Sequence, residues 1–248
     1  MNTELKRLTE LAERSLGSGR FTFTDFLSVA ELSVYYENEA AFRFACPKLF
    51  GGCEQAERKM IRFGSEEEQW FSQDFPIKTL LIKPLASKFA DDLSHRDFLG
   101  ALMNLGIKRE LLGDIFVKDK EACVFCKESI ADFIIENLTR VKHTSVKVEV
   151  TDEALDIACH ELEDKVVQVS SQRIDAVIAK VYSFSRQEAL ELFREGLVYH
   201  NGRECTENAR TLHPGDVISV RGKGKFEFSE ELGLSKKGKL NCRVSIYR

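Results

Sequence analysis

Residues 173–228 read RIDAVIAKVYSFSRQEALELFREGLVYHNGRECTENARTLHPGDVISVRGKGKFEF, and this stretch decides the fold of the C-terminal part of the chain. Ile174, Val177, Ile178 and Val181 stand at the i, i+3, i+4, i+7 spacing of one buried helix face. Arg173 and Lys180, seven residues apart, project together from another face. Ser185 followed three residues on by Glu188 is a capping box that opens a second helix, with Phe184 at the staple position. Ala189, Leu190 and Phe193 turn toward the first helix, and Gly196 ends the second with a left-handed cap. Asn201-Gly202 tolerates the positive φ of a two-residue hairpin turn, Pro214-Gly215 marks another turn, and residues 217–220 alternate as a strand. Two helices on a small twisted sheet are predicted.

The charges on this scaffold point to a polyanion. Arg186 lies in the first turn of its helix, where free backbone N–H groups and the helix dipole favour an anion. A cation there opposes the dipole by up to roughly 1 kcal/mol, which a bound phosphate would offset. Arg173 and Lys180 extend the surface, and Lys223 and Lys225 sit on what reads as a Gly-flanked loop beside it. The candidate polyanion-binding residues are Arg173, Lys180, Ser185, Arg186, Gln187, Arg203, Lys223 and Lys225. Ordinary solvated charge is the competing reading, strongest for Lys180 and Arg203. The whole chain carries a net charge of −4, but unevenly. Residues 172–248 hold 14 Lys+Arg against 10 Asp+Glu, and residues 1–171 hold 22 against 30. The basic end is where nucleic acid is expected.

The segment resembles the S4 RNA-binding domain. The matching residues are Arg173 and Asp175 in the helix opening, Ser185-Arg186 with Ala189, Gly196 with Val198, Asn201-Gly202, and Gly215-Asp216. The resemblance covers about 50 residues of the 248 and joins caps, turns and basic positions in one order.

Outward from this domain, residues 77–85, 113–119, 122–128 and 145–151 read as strands, with helices at 95–106 and 131–138. That β-α-β-β-α-β order is the split ferredoxin-like unit, shared by RNA-recognition modules and by many unrelated domains. Phe116, Phe125 and Phe133 are expected in its core. Further upstream, residues 3–16 form an amphipathic helix and a second helix follows Thr24. AFRFACPKLFGGCEQAERKMIRFG then reads as strand, turn, basic segment and strand. The acidic run Glu66-Glu67-Glu68 suggests a boundary near residue 73. The expected fold class is α+β and multidomain: an N-terminal α/β region at 1–73, a ferredoxin-like (RRM-like) domain at 74–151, a connector at 152–170 that reads as a helix and a short strand, KVVQVSS (165–171), and an S4 (αL-type) domain at 171–248.

Other chemistry finds little support. Cys123-x-x-Cys126 has no second pair at zinc spacing, and a strand points the two thiols to opposite faces. The seven cysteines are scattered and odd in number, which fits reduced thiols in a cytoplasmic protein. The five histidines form no HxxxH or HxH, and neither a GxxxxGK[ST] loop nor a strand-linked GxGxxG occurs. No catalytic residue, metal or cofactor is expected. Nor is membrane insertion: no window approaches the roughly 18 apolar residues of a span, and MNTELKRLTELAERS is amphipathic rather than a signal peptide.

The order of the three parts, together with Phe50-Gly51-Gly52 and Ala56-Glu57-Arg58-Lys59, resembles the YlmH family of S4-containing bacterial proteins. Position 53 is Cys where that pattern has Tyr. The S4 part is also similar to the RqcP proteins. These resemblances imply a non-enzymatic, monomeric cytoplasmic protein that binds rRNA of the large ribosomal subunit carrying peptidyl-tRNA, during rescue of stalled nascent chains. The family's association with septum formation implies division-site proteins as further partners. Two rival readings stay open. One is an S4-containing RNA-modifying enzyme, although GRLDxxTSG, HIGH and KMSKS are missing. The other is a septum-associated scaffold whose partner-binding patch would use Tyr35, Tyr36 and Trp70.

Overall fold

A computed structural model describes residues 3–66, 73–151, 162–235 and 238–247. The chain divides into two compact units, Met1–Cys159 and His160–Arg248.

The first unit opens with α1 (Thr3–Ser18), whose Leu8 and Ala12 are fully buried against Leu27, Leu32, Phe42 and Phe63. Ser28 caps α2 (Val29–Glu37) through a complete capping box with Glu31. The AFRFA stretch read as a strand is instead a 3₁₀ helix, Glu39–Ala45. A strand would place Phe42 and Phe44 on one face. Here Phe42 is 1% exposed and Phe44 48%, while Phe42 and Ala45, three apart, are both buried. Strands β1 (Thr22–Phe23), β2 (Lys48–Phe50) and β3 (Met60–Phe63) form a small antiparallel sheet in the order β1-β3-β2. Tyr35 and Tyr36, candidate patch residues, belong to this core; Trp70 lies outside the described residues.

Next come β4 (Ile77–Pro84), α3 (His95–Asn104), β5 (Leu112–Lys118), β6 (Glu121–Lys127), α4 (Glu128–Asn137), β7 (Arg140–Val141) and β8 (Thr144–Val150). The sheet order is β5-β6-β4-β8-β7 with every neighbour antiparallel, the ferredoxin-like arrangement with a two-residue strand added at one edge. One face carries α3 and α4 over Leu80, Ile82, Val124 and Val148. The other is covered by the N-terminal region: Phe26, Cys53, Ala56 and Met60 lie on Phe116, Cys123 and Phe125. Burial on both faces explains why residues 122–126, ACVFC, are an unbroken apolar run. Cys123 faces one core and Cys126 the other, and burial pushes both thiols up to about 12. Phe133, expected in the core, is 45% exposed on α4.

The covering segment is the glycine-rich stretch quoted above. A Cβ at Gly52, whose φ is +105°, would come within 2.2 Å of Phe125, so only glycine lets the chain cross the ring. Asp114 Oδ2 accepts from the backbone N–H groups of Glu57 and Arg58. Arg58 Nε donates to Leu112 O at 3.0 Å, and its Nη2 donates to Phe26 O at 2.9 Å. The AERK motif thus fastens the N-terminal region to the sheet, which is why residues 1–73 and the ferredoxin-like segment share one compact unit.

The second unit begins earlier in the chain than the sequence indicates. The short strand read at 165–171 lies within the connector and is found as β9 (Leu162–Val169), which pairs along β14 (Leu240–Tyr247) and adds Val167 and Val169 to the core. The helices α5 (Ile174–Val181) and α6 (Arg186–Arg194) follow, then β10 (Val198–His200), β11 (Arg203–Glu204), β12 (Asp216–Val220) and β13 (Gly224–Leu234). The sheet order is β11-β10-β12-β13-β14-β9. Asn201 and Gly202 take φ of 50° and 79°, as the two-residue turn requires, and Gly196 caps α6 at 66°. Ile174, Ile178, Ala189, Val198, Ile218 and Phe226 are fully buried where the helices meet the sheet.

Candidate nucleic-acid interface

Arg173 is the N-cap residue of α5, and its guanidinium grips Asp175 by two bonds, Nε to Oδ1 at 3.0 Å and Nη2 to Oδ2 at 2.7 Å. Asp175 is only 3% exposed and also accepts from Asn208 Nδ2. The fork fixes the guanidinium plane and leaves its other N–H donors for a ligand. Burial pushes the Asp175 carboxyl up, but the bonds from Arg173 and Asn208 outweigh it and hold it below its ordinary 3.8. A depressed folded-state value stabilises the fold above the unfolded value, and that stabilisation fades as pH falls through the folded one. The second unit is therefore expected to lose stability below about pH 4. Asp175→Asn should flatten that acid limb in denaturant titrations at pH 3 to 6, and an unchanged limb would assign it to other carboxylates.

After α5 the chain reverses through Ser183, at φ 59°, and Phe184, so that the start of α6 comes back beside α5. The result is a groove of about 410 Å³ in which Arg173, Lys180 and Arg186 converge, with Ser170, Ser171 and Phe184 completing the wall. Asp175 also lines it, but is spent on Arg173. Lys180 and Arg186 are exposed and ion-pair with no described residue, so the groove carries uncompensated positive charge. From the turn after β12, Lys223 Nζ lies 5.2 Å from the centre of the Phe184 ring, which extends the cationic surface.

The remaining candidates are placed differently. Ser185 is the N-cap of α6: its hydroxyl accepts from Glu188 N–H at 3.2 Å while Glu188 Oε2 accepts from Ser185 N–H at 2.7 Å. Gln187 is exposed and reaches Glu191 along the helix surface. Arg203 sits on β11 at the sheet edge, outside the residues that line the groove. Lys225 is on strand β13 rather than on a loop, its ammonium 4.2 Å from the centre of the Tyr247 ring. Sequence reasoning missed Ser170, Ser171 and the wall position of Phe184. The serines end the short strand read at 165–171, at the boundary set between connector and S4 domain, and Phe184 reads locally as a staple.

An arrangement of one buttressed arginine, two cations that ion-pair with no described residue, an aromatic ring and serine hydroxyls can bind phosphates and a stacked base or ribose. Among the described residues no group of His, Cys, Asp and Glu is placed to hold a metal ion, and no helix is long and apolar enough to cross a membrane.

Comparison with known proteins gives the domain family. Residues 172–218 match the S4 domain, and residues 71–154 match a domain described as "Putative RNA-binding domain in YlmH". The molecule is an S4-domain RNA-binding protein of α+β fold. It is 31% identical over 234 residues to ribosome-associated protein quality control protein P2 of Bacillus subtilis (strain 168), covering 92% of this chain and 88% of that one. The chain belongs to that protein's family, the YlmH family. The solved structure of cell division protein ylmH from Streptococcus pneumoniae shares the fold, with a TM-score of 0.50 at 20% identity over 62% of this chain and 92% of that chain.

Proposed function

We propose that this protein is a non-enzymatic, cytoplasmic factor that docks on structured rRNA of the large ribosomal subunit and acts on subunits that carry peptidyl-tRNA after translation has stalled. The observation that carries the reading is the convergence of Arg173, Lys180 and Arg186 in one groove of the S4 unit. Such a site suits the phosphates and ribose edges of folded RNA, which proteins recognise by shape. The quality-control role is supported by the name of the Bacillus subtilis relative. A division-site scaffold is the second reading, supported by the name of the pneumococcal structure. Two of the three aromatic residues that it would use, Tyr35 and Tyr36, are committed to the core.

A fragment spanning residues 160–248 separates the two. It has to begin before β9, because a start at 171 would remove Val167 and Val169 from the core. The fragment is expected to retain RNA binding, weakened roughly 40-fold between 50 and 200 mM salt if about three phosphates are contacted. RNA binding that stays entirely with residues 1–159 would contradict the S4 surface as the docking site.

A further inference from the structure

The first unit has a domain matched to an RNA-binding family, yet the sheet face through which ferredoxin-like modules stack bases is closed. Phe116 and Phe125 are 5% and 1% exposed beneath Phe26, Cys53, Ala56 and Met60. Gly113 packs so tightly that a Cβ there would meet the Phe26 ring at 2.8 Å. The opposite sheet face holds α3 and α4. The outside of that helical layer is a surface that remains open to solvent.

There the structure has a second groove, of about 460 Å³, between α3 and the segment that joins α4 to β8. Arg96, Gly100 and Asn104 succeed one another at four-residue intervals along one face of α3. Asn137, Arg140 and Lys142 form the opposite wall. Gly100 keeps the floor low: nothing lies within 4 Å of where its Cβ would be. Asp97 also lines the groove, but its carboxylate is occupied by Lys142 Nζ at 2.9 Å and by the Ser94 cap. Arg96 and Arg140 are exposed and ion-pair with no described residue. An open groove with a guanidinium group and a side-chain amide on each wall has donors for phosphates and for ribose hydroxyls.

We infer that this groove is a second RNA-binding site, which holds a ribose-phosphate backbone between Arg96 and Arg140 independently of the S4 groove. The inference rests on the RNA-binding reading of the protein, and the experiment separates the two. The probe is fluorescein-labelled bulk tRNA, titrated by anisotropy with the full chain at several salt concentrations. The Arg96→Glu/Arg140→Glu variant is expected to bind at least about tenfold more weakly, with a salt slope shallower by about two. Both arginines are exposed, so the fold should persist, and an unchanged thermal midpoint checks this. Gly100→Glu, which has room for its side chain, should lose affinity by placing a carboxylate on the floor.

If both variants bind as the wild type does while Arg186→Glu binds weakly, the groove assignment is wrong and the S4 reading stands. Weak binding by the groove variants with an unaffected Arg186→Glu would keep this site and overturn the S4 one. If the wild type shows no salt-sensitive binding of tRNA, both fall together.

Discussion

Reversing the charge at Arg186 is expected to lower the affinity for structured RNA roughly 10- to 100-fold at moderate salt, the value of one charge-assisted phosphate contact of about 1.5–3 kcal/mol. The argument is geometric. Arg186 stands at the first position of α6, exposed, facing a groove whose other cations are Arg173 and Lys180. Removing its charge deletes a contact, and the new carboxylate repels the phosphate that Arg173 and Lys180 still attract. Stability should hardly change, because the Ser185–Glu188 capping box that starts the helix is untouched. A salt slope shallower by one or two, with the same thermal midpoint, is the expected signature. An Arg186→Glu variant with unaltered affinity would remove this groove from the binding surface.

Arg58→Ala should show the opposite pattern, with a large loss of stability in the first unit and no direct effect at the S4 groove. The Arg58 guanidinium supplies donors to Leu112 O and Phe26 O, carbonyls that belong to the ferredoxin-like sheet and to the region covering it. Alanine leaves Phe26 O without its donor, a cost of about 1–3 kcal/mol where water is excluded, while Leu112 O keeps the bond from Arg109 Nη1 at 2.7 Å. With the lost Leu112 bond and packing added, and Arg58 only half-buried, about 1–3 kcal/mol in total is expected in urea titrations followed by circular dichroism. Arg58→Lys should rescue little, since one ammonium does not reproduce a planar fork. A loss below about 0.5 kcal/mol, ordinary for a surface position, would mean that the AERK segment is not what fastens the two parts.

These two residues also show where the sequence was legible. The S4 helices were readable because their determinants are local: a cap at Ser185, a stop at Gly196, and an Asn-Gly pair with positive φ. Arg186 could be singled out because it opposes a rule about helix N-termini. Arg58 stood in a quotable motif, but its purpose depends on Leu112 and Asp114, far along the chain. Likewise the short strand at 165–171 is legible, but its place in the C-terminal sheet is not, because its partner β14 is the last strand. AFRFA alternated like a strand and became a 3₁₀ helix, since only Phe42 found a core. The ferredoxin-like order was visible, whereas the closure of its second face was not. That closure is set by Gly52 and Phe26, which lie outside the ferredoxin-like segment itself.

The central claim is docking on the large ribosomal subunit through the S4 groove, and sedimentation of the tagged protein through a sucrose gradient of cell lysate tests it most directly. The wild type is expected to migrate with the large subunit at low salt and to leave it as salt rises, while Arg186→Glu stays at the top throughout. Wild-type protein that remains at the top at low salt, or Arg186→Glu protein that migrates with the subunit as fully as the wild type, would contradict the account.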